Sequence, residues 1–240
     1  MRLQDSVALI TGASKGLGLE IAKRYAERGA RLVIAARHPG PLEQAAAELR
    51  QRTEVVSVAL DVSQEAERLV EAGLQRFGQI DVLVNNASEL GPSPMPALES
   101  LGWQDMERIL RVNVTAPLHL MQLVLPQMRA RGDGVIVNVT SDAGVEAYAG
   151  WGGYGASKAA LEHLSRVQAA ELEGSGIRVY VVDPGDMNTE MHRLAEPGVD
   201  LSGLPGPEVS APAFVRLVEE ETAAFGRFQA QVMAAALAAR

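Results

Sequence analysis

The chain has 240 residues, 47% of them apolar and 22% charged, with no cysteine. That size and apolar content suit one α/β domain with a substantial core, and the lack of cysteine excludes disulfides, thiol nucleophiles and cysteine–metal sites. A formal net charge of -8 without a basic cluster argues against nucleic acid or an anionic membrane surface as partner.

The N-terminus enters the apolar run 7–10 at once. That run is too short for a signal peptide, and nothing reaches the roughly 18 apolar residues of a membrane span. The chain therefore reads as soluble and cytoplasmic. The first strand, Val7–Thr11, leads into Thr11-Gly12-Ala13-Ser14-Lys15-Gly16-Leu17-Gly18, which opens a helix over 17–28. Glycines there allow a tight turn and let a pyrophosphate approach the helix N-terminus, where free N–H groups favour anions. The same residues also match G-x-S-x-G, a nucleophile elbow that would make Ser14 a hydrolase nucleophile with His163 or His192 and Asp183 or Asp186. Only one strand precedes this elbow, against several in such hydrolases.

The second strand, Arg31–Ala36, ends on Arg37 rather than on an acid. An acid there suits the ribose 2′-hydroxyl of NAD; an arginine suits the 2′-phosphate of NADP. Lys15 adds a second cation, so NADP(H) is the expected cofactor; the alternative is two solvated surface cations. Further strands are expected over 54–60, 80–85, 134–140 and 177–182, and helices over 41–52, 65–77, 101–131 and 154–174. Gly29, Gly78 and Gly174 stand where helix C-caps belong. Apolar strands with little alternation are buried on both faces. The βαβα rhythm predicts a doubly wound parallel sheet with helices on both sides in a single domain, 1–240. Residues 91–96 and 184–207 read as Pro/Gly-rich loops, the second long enough to act as a substrate lid. Residues 225–232 suit a last strand, and 233–240 an Ala-rich, flexible tail.

Within 101–131, Pro117 stands four residues after Asn113. Proline offers no N–H, so the Asn113 carbonyl loses its helical donor and a kink is expected. Ser141 follows the apolar run 135–139, at the strand end where ligands sit in open α/β sheets; a hydroxyl there can polarise a carbonyl. Tyr154 and Lys158 are four apart, on one helix face. A free phenol has a pKa of about 10, and bringing it to about 7 takes roughly 4 kcal/mol of differential stabilisation. A nearby ammonium supplies part of that. Tyr154 could then pass a proton to or from a substrate oxygen.

These residues resemble the short-chain dehydrogenase/reductase family. The resemblance runs from Leu3 to Thr189 through Thr11-Gly-x-x-x-Gly16-x-Gly18, Asp61-Val62, Asn85-Asn86-Ala87, Asn113, Ser141, Tyr154-x-x-x-Lys158 and Pro184-Gly185-x-x-x-Thr189. It implies a catalytic tetrad of Asn113, Ser141, Tyr154 and Lys158, and Asp61 and Val62 against the adenine. It also implies Asn86 and Ala87 at the cofactor ribose, Tyr154 and Lys158 against the cofactor with Lys158 able to reach the ribose, and Thr189 at the nicotinamide carboxamide with Pro184 and Met187 beside it. In the family, water near the corresponding Asn links the Lys to solvent. The activity implied is hydride transfer between NADP(H) and a carbonyl or alcohol, in a dimer or tetramer. A dinucleotide-binding sensor or scaffold is the alternative. Ala143, Tyr148, Trp151, Met187, Met191 and His192 are the substrate-pocket candidates, each equally able to pack beneath a loop. Two features depart from the family: Ser88 stands where glycine is frequent, and the Asp-Gly-Gly type of ending is missing. The four histidines have no metal-ligand spacing, and no metal site is expected.

Overall fold

A computed structural model describes residues 1–238. In chain order the elements are β1 Val7–Thr11, α1 Gly16–Glu27, β2 Arg31–Ala36, α2 Pro39–Leu49, β3 Val55–Ala59, α3 Ala66–Phe77, β4 Val82–Asn85, α4 Trp103–Leu110 and α5 Ala116–Arg131. There follow β5 Gly134–Val139, α6 Gly152–Glu171, β6 Ile177–Asp183, α7 Glu190–Ala195, α8 Ala211–Glu219, β7 Phe225–Gln229 and α9 Ala230–Ala238.

The strands form one parallel sheet in the order β3-β2-β1-β4-β5-β6-β7. Strand side chains alternate between the two faces, and each face is covered. Ala8, Ile10, Leu32 and Ile34 pack with Ile21 and Tyr25 of α1, Leu42 of α2 and Phe214 of α8. Val7, Leu9, Val33 and Ile136 pack on the other face with Leu69 of α3, Val124 of α5 and Ala169 of α6. The strand order reverses between β1 and β4, which leaves a crevice beyond their C-terminal ends.

Where one helix was expected over 101–131, there are two, joined by a π-helical turn at Arg111–Thr115. The Ala116 N–H bonds the Arg111 carbonyl five residues back. Pro117 has no N–H to give Asn113, and the ladder takes up a wider step there rather than breaking. Helix α8 is not among the expected elements, although Phe214, Leu217 and Val218 are fully buried and recur at helical spacing. Strand β7 does form, with Val179 opposite Phe225. Of residues 233–240, those up to Ala238 belong to α9, and 239–240 lie outside the described residues. Among the described residues no helix is long and apolar enough to cross a membrane.

Candidate active site

The glycine turn and the end of β4 are tied together. Thr11 Oγ1 accepts from the N–H groups of Asn86 and Ala87, both at 3.0 Å. Asn86 Nδ2 donates to the carbonyls of Thr11 at 2.9 Å and Gly12 at 3.2 Å. A Cβ on Gly18 would collide with the Gly12 carbonyl and Asn86, so α1 approaches this strand closely only because residue 18 is glycine. Gly16 has φ +57, and a Cβ built there meets nothing within 4 Å. Bare backbone thus faces the crevice. Lys15, at the N-cap of α1, makes no side-chain cap, so the first N–H groups of the helix lack a side-chain acceptor. Those features fit a pyrophosphate at this turn.

The crevice is a cavity of about 740 Å³. Nearly all of the expected cofactor residues line it: Gly12, Ser14, Lys15, Gly16, Leu17, Arg37, Asp61, Val62, Asn86, Ala87, Pro184, Met187 and Thr189. Gly18 lies beneath them. Asp61 Oδ1 accepts from the Ser63 N–H at 2.9 Å and its hydroxyl at 2.7 Å. Burial alone would raise that carboxyl, but the Ser63 bonds and Arg37 outweigh it and hold it below its usual range. The two cations expected at the cofactor, Lys15 and Arg37, each face a carboxylate. Lys15 Nζ lies 2.6 Å from Glu190 of α7, and Arg37 Nη1 3.4 Å from Glu89.

Ser141, Tyr154 and Lys158 line the same cavity. Tyr154 and Lys158 are both buried on α6, with Lys158 Nζ 5.3 Å from the phenol ring centre. The Lys158 Nζ donates to the Val139 carbonyl at 2.9 Å. Burial moves the two groups in opposite directions. It brings Lys158 down to about 7, and it pushes the Tyr154 phenol well above its ordinary value, with the Ser88 hydroxyl opposing and Asp183 and Asp142 reinforcing. A nearby ammonium was expected to supply part of a downward shift of the phenol; in this structure loss of water raises it instead.

Ser141 Oγ donates to Asp142 Oδ1 at 2.8 Å and accepts from the Ala143 N–H at 3.2 Å. Asp142 also accepts from Tyr148 Oη at 2.9 Å. Burial raises this carboxyl, but the Ser141, Tyr148 and Ala143 donors prevail and hold it low. Asn113 is buried away from the cavity wall. Its Nδ2 donates to the Glu89 carbonyl at 2.8 Å and Ser157 Oγ at 2.9 Å; its Oδ1 accepts from the Glu89 N–H at 2.7 Å and Ser88 Oγ at 3.1 Å. Every polar atom of that side chain is engaged in clamping the 88–89 segment to α6. Ser157 Oγ in turn donates to the Tyr154 carbonyl at 2.6 Å.

Of the pocket candidates, Trp151, Met187, Met191 and His192 line the cavity. Ala143 is buried behind the wall, and Tyr148 stands outside it, edge-on to Trp151 at 6.4 Å. Asp142, Ser157 and Glu89 were not singled out from the sequence, and Ser88 only as a departure from the family pattern. Adjacency to Ser141 and to Tyr154-x-x-x-Lys158 was the only signal for the first two. Thr189 caps α7, accepting from the His192 N–H at 3.3 Å. The His192 ring pairs with Glu196 at 3.2 Å, and among the described residues no histidine bonds Ser14, so the hydrolase triad is not assembled.

The short chain dehydrogenase family model matches residues 6–199. The chain is 36% identical over 223 residues to 2-(R)-hydroxypropyl-CoM dehydrogenase of Xanthobacter autotrophicus, covering 87% of each chain. Among solved structures, a metagenomic short-chain oxidoreductase in complex with NADP matches with a TM-score of 0.79 at 28% identity, over 95% of this chain and 98% of that one. The 3-ketoacyl-(acyl-carrier-protein) reductase of Brucella melitensis, complexed with NADH, matches with a TM-score of 0.85 at 30% identity, over 95% and 97%. A parallel sheet with this glycine turn, matched over most of its length by such proteins, belongs to the short-chain dehydrogenase/reductase family of oxidoreductases.

Proposed function

We propose that the protein moves a hydride between NADP(H) and a carbonyl or alcohol substrate, with Tyr154 as the proton donor and acceptor. One observation carries this reading: Tyr154 and Lys158, one helical turn apart and both buried, share a cavity wall with Ser141 and the bare-backbone glycine turn. The turn and Arg37 would hold the cofactor, which when bound supplies or accepts the hydride. Tyr154 keeps its proton at neutral pH because burial disfavours the phenolate. It is therefore poised to give that proton to an oxygen gaining charge. Lys158, held at the Val139 carbonyl, can take a proton and steady the phenolate left behind. Ser141 can polarise the substrate oxygen once its proton turns from Asp142. Asn113 supports the reaction through the segment it clamps.

The choice of NADP(H) rests on Arg37 and Lys15. Lys15–Glu190 is an exposed ion pair worth about 0–1 kcal/mol, which a phosphate displaces at little cost, and the exposed Arg37 stands 3.4 Å from the more buried Glu89. The segment 184–207 acts as the lid over the substrate end, docked by Lys15–Glu190 and by Ser93 Oγ donating to the Leu194 carbonyl at 2.7 Å. The test is NADPH consumption with a panel of ketones, aldehydes and quinones. We expect turnover that Tyr154→Phe lowers by about 100-fold or more. Turnover that survives Tyr154→Phe, or a preference for NADH, would overturn the assignment.

A further inference from the structure

We propose that Arg227, on the last strand, is a positioning residue that fixes the Ser141–Tyr154 site from behind; this rests on the function proposed above. Arg227 lies opposite Val181 in the β6–β7 register and is outside the cavity lining. Its guanidinium reaches three groups. Nε donates to Glu162 Oε1 at 3.0 Å, Nη2 donates to the Ser141 carbonyl at 3.3 Å, and Nη2 lies 3.9 Å from Asp183 Oδ2.

Each of these belongs to a different arm of the site. Glu162 is one turn beyond Lys158 on α6, and its side chain is 3% exposed. The same Oε1 accepts from Thr140 Oγ1 at 2.8 Å, immediately before Ser141. Asp183 ends β6, is 5% exposed, and accepts from the Gly185 N–H at 2.9 Å, where the segment carrying Met187 and Thr189 begins. One side chain thus joins the strand end bearing the hydroxyl, the helix bearing the phenol and amine, and the root of the lid.

The chemistry suits arginine alone. A planar fork can serve three acceptors in fixed directions, and an ammonium cannot hold that pattern. Two nearly buried carboxylates also need a counter-charge. Arg166 approaches the far oxygen of Glu162 at 3.5 Å but is half exposed and does not reach Asp183 or Ser141. A buried ion cluster of this kind is weak evidence for stability and better explained by a need for specific geometry. Arg227 also acts on Asp142, helping to keep ionised the carboxylate that orients the Ser141 proton.

Steady-state kinetics with NADPH should be measured for wild type, Tyr154→Phe, Arg227→Met and Arg227→Lys, together with NADPH Kd by fluorescence and thermal unfolding. We expect kcat to fall by about 100-fold in Arg227→Met, the scale of a small misplacement of reacting groups, while NADPH Kd stays within about threefold. Arg227→Lys should recover part of kcat, and if Arg227→Met does not fold, the Lys variant carries the test with a loss of about 10-fold. A folded variant with kcat within about twofold of wild type overturns the proposal, as does a loss of NADPH binding equal to the loss of kcat. If Tyr154→Phe keeps its turnover, the functional reading fails and this proposal falls with it.

Discussion

Lys158 is an amine stripped of water and held by one backbone carbonyl, that of Val139. That burial brings its pKa from 10.5 to about 7. In the unfolded chain the amine keeps its proton up to about 10.5, so between these values the unfolded state binds more protons than the folded one. Stability therefore rises with pH across this window, and the penalty is complete below about 7. Tyr154 works in the opposite sense, but only above the ordinary 10.0 of a phenol, where a free phenol ionises and the buried one does not. Urea unfolding between about pH 7 and 9.5 should show wild type gaining stability relative to Lys158→Met. Parallel pH profiles for the two proteins would mean that Lys158 titrates normally. Ser141 is likewise held by a neighbour, its hydroxyl donating to Asp142 Oδ1 at 2.8 Å.

Between elements, glycine decides how closely α6 sits against the turn after Ser141. A Cβ on Gly155 would collide with the Ala143 carbonyl, and one on Gly144 would lie 3.2 Å from Lys158 Cβ. The helix and the turn interlock through these absent side chains, which sets Tyr154 beside Ser141. Gly155→Ala meets backbone and should destabilise by about 1–3 kcal/mol while lowering turnover. Gly152→Ala meets only the exposed Leu98 side chain and should stay within about 0.5 kcal/mol of wild type. Equal thermal shifts in the two variants would contradict that contrast. The π-helical turn is the second element-scale device. Pro117→Ala restores an N–H facing the Asn113 carbonyl, and we expect a folded protein with lower turnover and an altered pH–rate profile. Unchanged kinetics would make the turn a packing detail.

For the whole molecule, a formal charge of -8 opposes an anionic dinucleotide, so the cleft must supply local cations. Lys15 comes from the first turn, Arg37 from the end of β2, and both meet at one crevice because the strand order reverses there. Ligand binding to the folded state alone adds stability, about 2.7 kcal/mol at 100 times Kd. Thermal unfolding should thus show NADPH raising Tm more than NADH at equal concentration, and Arg37→Ala should narrow the difference. A larger shift with NADH would point to the other dinucleotide.

Much of this was legible because it is local. The runs Val7–Thr11 and Arg31–Ala36 announce strands buried on both faces, and the glycines of 12–18 announce a tight turn between strand and helix. Tyr154 and Lys158 share a helix face by spacing alone. What the amino-acid order determined by itself was therefore the doubly wound sheet, its glycine turn and many of the residues that line the cleft, though not Glu89 or Asp142. Tertiary structure decided the partners: Lys15 with Glu190, 175 positions away; Ser141 with Arg227, 86 away; Asn113 with Glu89, 24 away. It also decided the protonation of Tyr154 and Lys158, which burial drives apart. Periodicity reports only neighbours within a turn or a pleat, whereas these contacts and this loss of water exist only once a parallel sheet has carried distant strand ends to one edge.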